Sequence, residues 1–158
     1  MNKKNPEVEI LKNISAFKHI YNNIVKFDEV DSVGVVHNIK YLYWLEWART
    51  QYLENLGIKL NPVTFISELP LMVVHNDIDY YNPAKFSDKY KVLTRISFIK
   101  KSSLGFENLV LLEDNTLLSK ANAIMVYFDY KQKIPTRIPD ELRNLIKLFE
   151  NGNVNIID

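Results

Sequence analysis

The chain has 158 residues, a formal net charge of +1 and no cysteine. That length suits one domain with a real core. The near-neutral balance excludes a global field for nucleic acid or anionic membrane, and the missing cysteines exclude disulfides, thiolate nucleophiles and Cys-ligated zinc. With 47% hydrophobic and 25% charged residues the composition is that of an ordinary globular chain. No apolar run is long enough for a membrane span, the start lacks the apolar stretch of a secretory signal, and the expected address is cytoplasmic.

In chain order, residues 1–20 are rich in Lys, Asn and Glu and read as a frayed extension with a short helix around Val8–Ile14. The domain proper is expected over 21–150. Tyr21–Phe27 ends in an alternating run and reads as a strand, and Asp28–His37 as a turn around Gly34. From Asn38 to Leu56 the period changes: Tyr41, Trp44, Leu45, Ala48, Tyr52 and Leu56 fall on one helical face, and Gly57 supplies the stop. Leu42, Trp47 and Leu53 lie off that face, so the helix is apolar nearly all round and belongs in an interior or an interface.

After Pro62 the pattern is strand-rich, with strands expected at Leu71–Tyr81, Lys89–Phe98, Phe106–Leu112 and Leu117–Tyr130. Their short polar links predict an antiparallel meander. A last helix opens at Pro139-Asp140-Glu141 and runs to Phe149, and residues 151–158 read as a loose tail. The fold class that follows is α+β, a twisted antiparallel sheet wrapped around one central helix. One helix cannot cover a whole sheet and its edges, so dimerisation is expected.

Four scattered glycines exclude phosphate-binding loops, the dinucleotide fingerprint and the nucleophile elbow. His19, His37 and His75 are far apart and join no metal-ligand motif, so no metal is assigned. What stands out is Asp31. An Asp before a Gly-containing turn is commonly only a turn residue. Yet this one is delivered beside the start of the apolar helix, where the N–H groups of Asn38 and Ile39 lack intrahelical partners and negative charge is favoured. A carboxylate next to such donors can activate water or attack while the N–H groups hold a developing oxyanion.

The run Asp31, Gly34, Val35, Val36, His37, Asn38, Tyr41, Trp44, Glu46, Ala48 and Arg49 resembles the motif of hotdog-fold acyl-CoA thioesterases. The closest likeness is to the 4-hydroxybenzoyl-CoA thioesterase group and the Tol–Pal-associated thioesterase. Ile78-Asp79-Tyr80-Tyr81 with Pro83-Ala84, the turn Lys101-Ser102-Ser103-Leu104 and Ile138-Pro139 extend the likeness over residues 23–149. The resemblance implies a hotdog fold and hydrolysis of an acyl-CoA or acyl-carrier-protein thioester without a cofactor, coenzyme A being part of the substrate. It implies Asp31 as general base or nucleophile and Asn38 N–H as the group polarising the carbonyl, with His37 beside them.

The family often carries Tyr-His where this chain has His37-Asn38, a departure that leaves the carboxylate untouched. For substrate binding the resemblance points to Gly34, Val36 and Tyr41, and to Lys100, Lys101, Ser102 and Ser103 at the nucleotide end. Tyr41 and Trp44 also read as core, Glu46 and Arg49 as a structural i, i+3 pair, and Tyr43 and Trp47 as dimer contact or acyl pocket. The partners implied are the thioester and a second copy of the chain, as a homodimer or homotetramer, with no nucleic acid. Two alternatives stay open: a hydratase or dehydratase using His37 as base, and a non-catalytic thioester binder or scaffold.

Overall fold

The computed structural model describes residues 6–67 and 69–157. The first five residues of the expected extension and Asp158 of the expected tail lie outside them. The elements in chain order are α1 (Pro6–Leu11), β1 (His19–Ile24), α2 (Asn38–Asn55), α3 (Pro62–Ser67), β2 (Leu71–Tyr80), β3 (Lys89–Lys100), β4 (Ser103–Leu112), β5 (Leu117–Asp129), β6 (Ile134–Pro135), α4 (Asp140–Phe149) and β7 (Asn155–Ile157).

The sheet wraps around α2, which at 18 residues is about 27 Å long. Alternation decides what each strand shows it. Tyr90 and Val92 of β3 and Val110 of β4 meet Tyr41, Trp44, Leu45 and Ala48 at the N-terminal half of the helix. Further along the same face, Ile96, Ile99, Leu104 and Phe106 meet Tyr52, Leu53 and Leu56, and Leu142 and Ile146 of α4 close that end. This is the α+β hotdog fold, with a curled antiparallel sheet around a long central helix.

The helix is not enclosed all round. Ile39, Leu42, Tyr43 and Trp47 form an exposed apolar side of α2 within a single chain. The edge strand beside it, β2, also exposes Met72, Val73 and Val74.

The strand order is β1-β3-β4-β5-β2, so the meander holds for β3, β4 and β5 but not for β2, which pairs with β5 at the far edge. Three strand spacings of roughly 4.8 Å separate β2 from β3, about 14 Å. The eight residues from 81 to 88 can span roughly 25 Å when extended, so a short link does not force neighbouring strands. This link crosses the end of the sheet at the start of α2. There Ala84 carbonyl accepts the Val36 N–H at 2.9 Å and Val35 bridges to Lys85.

Both termini depart from their expected looseness. Ile10, Leu11, Ile14 and Phe17 pack on the outer face of the sheet over Leu93, Leu109, Leu111 and Leu117, and β1 begins at His19, inside the expected extension. The apolar positions of a Lys- and Asn-rich segment suffice to dock it on an apolar sheet face. Asn155–Ile157 pairs in parallel with the end of β3. The first strand, expected to run to Phe27, ends at Ile24, Phe27 opens a 3-10 turn, Phe27–Glu29, and α3 is a short helix the strand-rich reading omitted.

Candidate active site

Residues 29–31 and 35–37 run against each other as a narrow loop at the head of α2. Val30 bridges Val36, Asp31 N–H donates to Val35 carbonyl at 2.9 Å, and His37 N–H donates to Glu29 carbonyl at 2.9 Å. The loop turns at Asp31–Gly34, where Gly34 N–H donates to Asp31 carbonyl at 3.0 Å. Gly34 has a φ of +84°, which glycine adopts freely and L side chains resist.

The Asp31 side chain serves that turn with one oxygen. Oδ1 accepts the N–H groups of Val33 at 2.8 Å and Val35 at 3.3 Å. Among the described residues no donor reaches Oδ2. The turn-residue reading accounts for one oxygen only. Oδ1 fixes the orientation of the carboxylate, and Oδ2 keeps its acceptor capacity open.

Of the first N–H groups of α2, Lys40 N–H donates to His37 carbonyl at 2.9 Å and Ile39 N–H to Asn38 Oδ1 at 2.9 Å. That leaves Asn38 N–H as the first donor of the helix without an acceptor among the described residues. The sequence suggests Ile39 N–H as a second open donor beside it; the Asn38 side chain removes that one. Tyr80 hydroxyl donates to Asn38 carbonyl at 3.1 Å and meets Tyr41 edge-on, with ring centroids 5.2 Å apart. A free carboxylate oxygen and a free amide at the positive end of a helix, held by one short loop, can activate a nucleophile and bind an oxyanion.

The other singled-out residues sort by position. Val36 and Tyr41 are buried in the core under the loop, while Gly34 is exposed at its tip. His37 is the N-cap of α2, is exposed, and makes no side-chain capping bond. Glu46 Oε2 and Arg49 Nη2 pair at 2.5 Å, with the arginine buried, as the structural reading of that pair requires. His75 and Asp77 lie 3.5 Å apart on the exposed edge strand.

Lys100, Lys101, Ser102 and Ser103 are not brought to Asp31 within one chain. They turn between β3 and β4 at the other end of the sheet, where Tyr127 N–H donates to Ser102 carbonyl at 2.8 Å. β3 runs twelve residues from the site end to that turn, about 36 Å.

Sequence reasoning missed Glu29. Its carboxylate is buried beside the loop and accepts the Trp44 indole N–H at 2.8 Å. The available signal was Trp44 itself, since a buried indole needs an acceptor, though nothing in the pattern says which.

Fold and loop together define a hotdog protein of the acyl-thioester class. Residues 25–146 match the family model described as the Thioesterase-like superfamily, and the chain belongs to that family. It is 31% identical over 119 residues to the acyl-CoA thioesterase YbgC of Haemophilus influenzae, covering 75% of this chain and 87% of that one. It is 28% identical over 134 residues to the chloroplastic acyl-acyl carrier protein thioesterase ATL3 of Arabidopsis thaliana, covering 84% of this chain and 69% of that one. Among solved structures, a Thermus thermophilus thioesterase in complex with coenzyme A and Zn superposes with a TM-score of 0.75 at 25% identity, covering 86% of this chain and 96% of that one.

Proposed function

We propose that this protein hydrolyses an acyl-CoA to the free acid and coenzyme A, with Asp31 as general base or nucleophile and Asn38 N–H as oxyanion donor. The observation that carries the reading is the divided Asp31 carboxylate, one oxygen locked and one free, on the loop that leads into the unpaired Asn38 amide. In one route Asp31 Oδ2 takes a proton from water as that water adds to the thioester carbonyl; in the other Oδ2 adds itself, and water then hydrolyses the resulting mixed anhydride. In both, charge develops on the carbonyl oxygen at Asn38 N–H, and collapse expels the thiolate, which takes a proton. One well-placed donor of this kind lowers the barrier by on the order of 3 kcal/mol. The Arabidopsis relative's name makes a carrier-protein thioester the natural second substrate to assay. The hydratase alternative needs an oriented His37, and no partner among the described residues fixes that imidazole.

The working unit in this reading is a homodimer. The exposed edge of β2 and the apolar side of α2, with Tyr43 and Trp47, are the surfaces a second copy would cover. β2 begins beside Tyr127, at the Lys101–Ser103 end, and finishes at Tyr80, at the Asp31 end. Antiparallel pairing of two such edges sets the Asp31 end of one protomer beside the Lys101-Ser102-Ser103 turn of its partner. This is how those residues reach the nucleotide end of the substrate.

The test is free-thiol release from a panel of acyl-CoAs of graded chain length and aromatic character. Asp31→Asn should lower kcat by at least about a hundredfold. If wild type turns over no panel member faster than Asp31→Asn, the assignment is lost.

A further inference from the structure

Glu29 holds the two halves of the proposed site together. The residue is 9% exposed and both side-chain oxygens are engaged: Oε1 accepts the Trp44 indole N–H at 2.8 Å, and Oε2 accepts Lys26 N–H at 2.8 Å. Its main chain is engaged too. The carbonyl accepts the N–H of His37 at 2.9 Å, and the N–H donates to Lys26 carbonyl at 3.1 Å. Trp44 is itself immobilised, stacked on Tyr90 of β3 with ring centroids 3.9 Å apart and planes 19° from parallel. One residue thus grips the 3-10 turn before Asp31, the residue that caps α2, and the second turn of α2.

Asp31 follows two residues later on an exposed loop. Its returning limb is tied to the rest of the fold by Val36 N–H to Ala84 carbonyl and the Val35–Lys85 bridge. The outgoing limb, which carries Asp31, is held by the packing of Val30 against the core, by the exposed Lys40–Asp28 pair at 3.3 Å, by Phe27 edge-on to Phe86, and by the buried Glu29–Trp44 hydrogen bond.

We propose that Glu29 is a positioning residue of the thioesterase site: by clamping the outgoing limb of the loop to Trp44 it sets where the Asp31 carboxylate stands relative to Asn38 N–H. This rests on the functional reading above. A buried carboxylate is a stronger acceptor than a neutral group and is correspondingly stiff, which suits a clamp whose failure displaces a reacting atom. A misplacement of about 1 Å can lower a rate about a hundredfold without altering how well substrate binds. A purely structural staple would instead lower stability and leave the turnover of the folded enzyme alone.

The test uses the full chain and two variants that attack one bond from either side. Glu29→Gln keeps size and shape but sets an amide against Lys26 N–H or the indole. Trp44→Phe removes the donor and keeps an aromatic ring on Tyr90. Amide hydrogen exchange is read on residues 30–37, with β4 and β5 as internal reference, and kcat and KM are read on an acyl-CoA that wild type hydrolyses. In both variants exchange of the loop should rise about tenfold or more while the reference strands hold. kcat should fall about ten- to a hundredfold with KM moving less than about threefold. The double variant should be little worse than the worse single one, because both remove the same contact.

Unchanged loop exchange overturns the proposal, as does raised exchange with kcat within about twofold of wild type, or strictly multiplicative losses in the double variant. If Glu29→Gln does not fold, Trp44→Phe decides, since it leaves the carboxylate on Lys26 N–H. A wild type inactive on the whole panel would sink the functional reading and the positioning role of Glu29 with it. The exchange measurement would then still decide whether Glu29 holds the loop.

Discussion

Tyr52→Phe removes one oxygen from the interior, at the end of α2 away from Asp31. Tyr52 hydroxyl donates to Glu150 Oε1 at 2.5 Å, and the same oxygen accepts Ile96 N–H at 2.9 Å. Glu150 is fully buried and its Oε2 has no partner among the described residues. The ring itself stays packed, edge-on to Phe106 at 5.5 Å and to Phe149 at 5.0 Å. What is lost is therefore a hydrogen bond to a buried carboxylate, worth roughly 1.5–3 kcal/mol. A loss near 2 kcal/mol lowers Tm by about 4–8 °C for a domain of this size.

The loss depends on pH, with a sign the structure fixes. Burial pushes the Glu150 carboxyl above its ordinary range, while the bonds from Tyr52 and Ile96 and the charges of Arg95 and Lys18 pull it back. A raised carboxyl binds its proton in the folded state where the unfolded chain has released it. Stability from this group is therefore fully present below the unfolded value and lost as pH rises through the folded one. Without the Tyr52 hydroxyl the carboxyl titrates higher still. The two proteins should differ least in acid, where both hold a neutral Glu150 and the missing bond is worth only about 1 kcal/mol. The gap should widen towards neutral pH.

His19, packed edge-on to Tyr52 at 5.9 Å, is held below its ordinary value by burial and has the opposite dependence, but it is common to both proteins. Urea unfolding from pH 5 to 8 at one fixed protein concentration measures the gap. A difference under about 0.5 kcal/mol at neutral pH, or one that grows on acidification, would refute the account of this cluster.

Two further outcomes follow from packing. A Cβ on Gly105 would overlap the Phe98 ring across the β3–β4 ladder, so Gly105→Ala should cost about 1–3 kcal/mol and be partly rescued by Phe98→Leu. Equal melting of Gly105→Ala and wild type would mean the ring swings aside freely. Trp47 is 54% exposed on the apolar side of α2, and Trp47→Arg should convert the proposed dimer to monomer and abolish turnover together. A dimeric Trp47→Arg, or a wild type already monomeric by sedimentation, would remove that interface.

Local pattern carried much of the architecture. The 3.6-residue period of Tyr41, Trp44, Leu45, Ala48 and Tyr52 made α2 legible because periodicity is a property of one segment and one face. Asp31 was legible for a similar reason: an acid, a turn glycine and a helix start sit within eight residues of one another. Strand partnership was not. β2 carries the same apolar alternation whether it pairs with β3 or with β5, and closing the sheet around the helix decided for β5.

By itself, then, the sequence determined the long strands, the apolar central helix and a carboxylate at its head, but not α3, β7 or the start of β1. The tertiary structure alone decided which carboxylate oxygen is free and that Asn38 rather than Ile39 offers an open amide. It also set Glu29 against Trp44, fifteen residues away along the chain. It sent Lys101 and its neighbours to the far end of the same protomer. The physical reason is one of range. Backbone period and turn chemistry act over a few residues, whereas a hydrogen bond between a buried acid and a buried indole exists only once two segments have been folded onto one another.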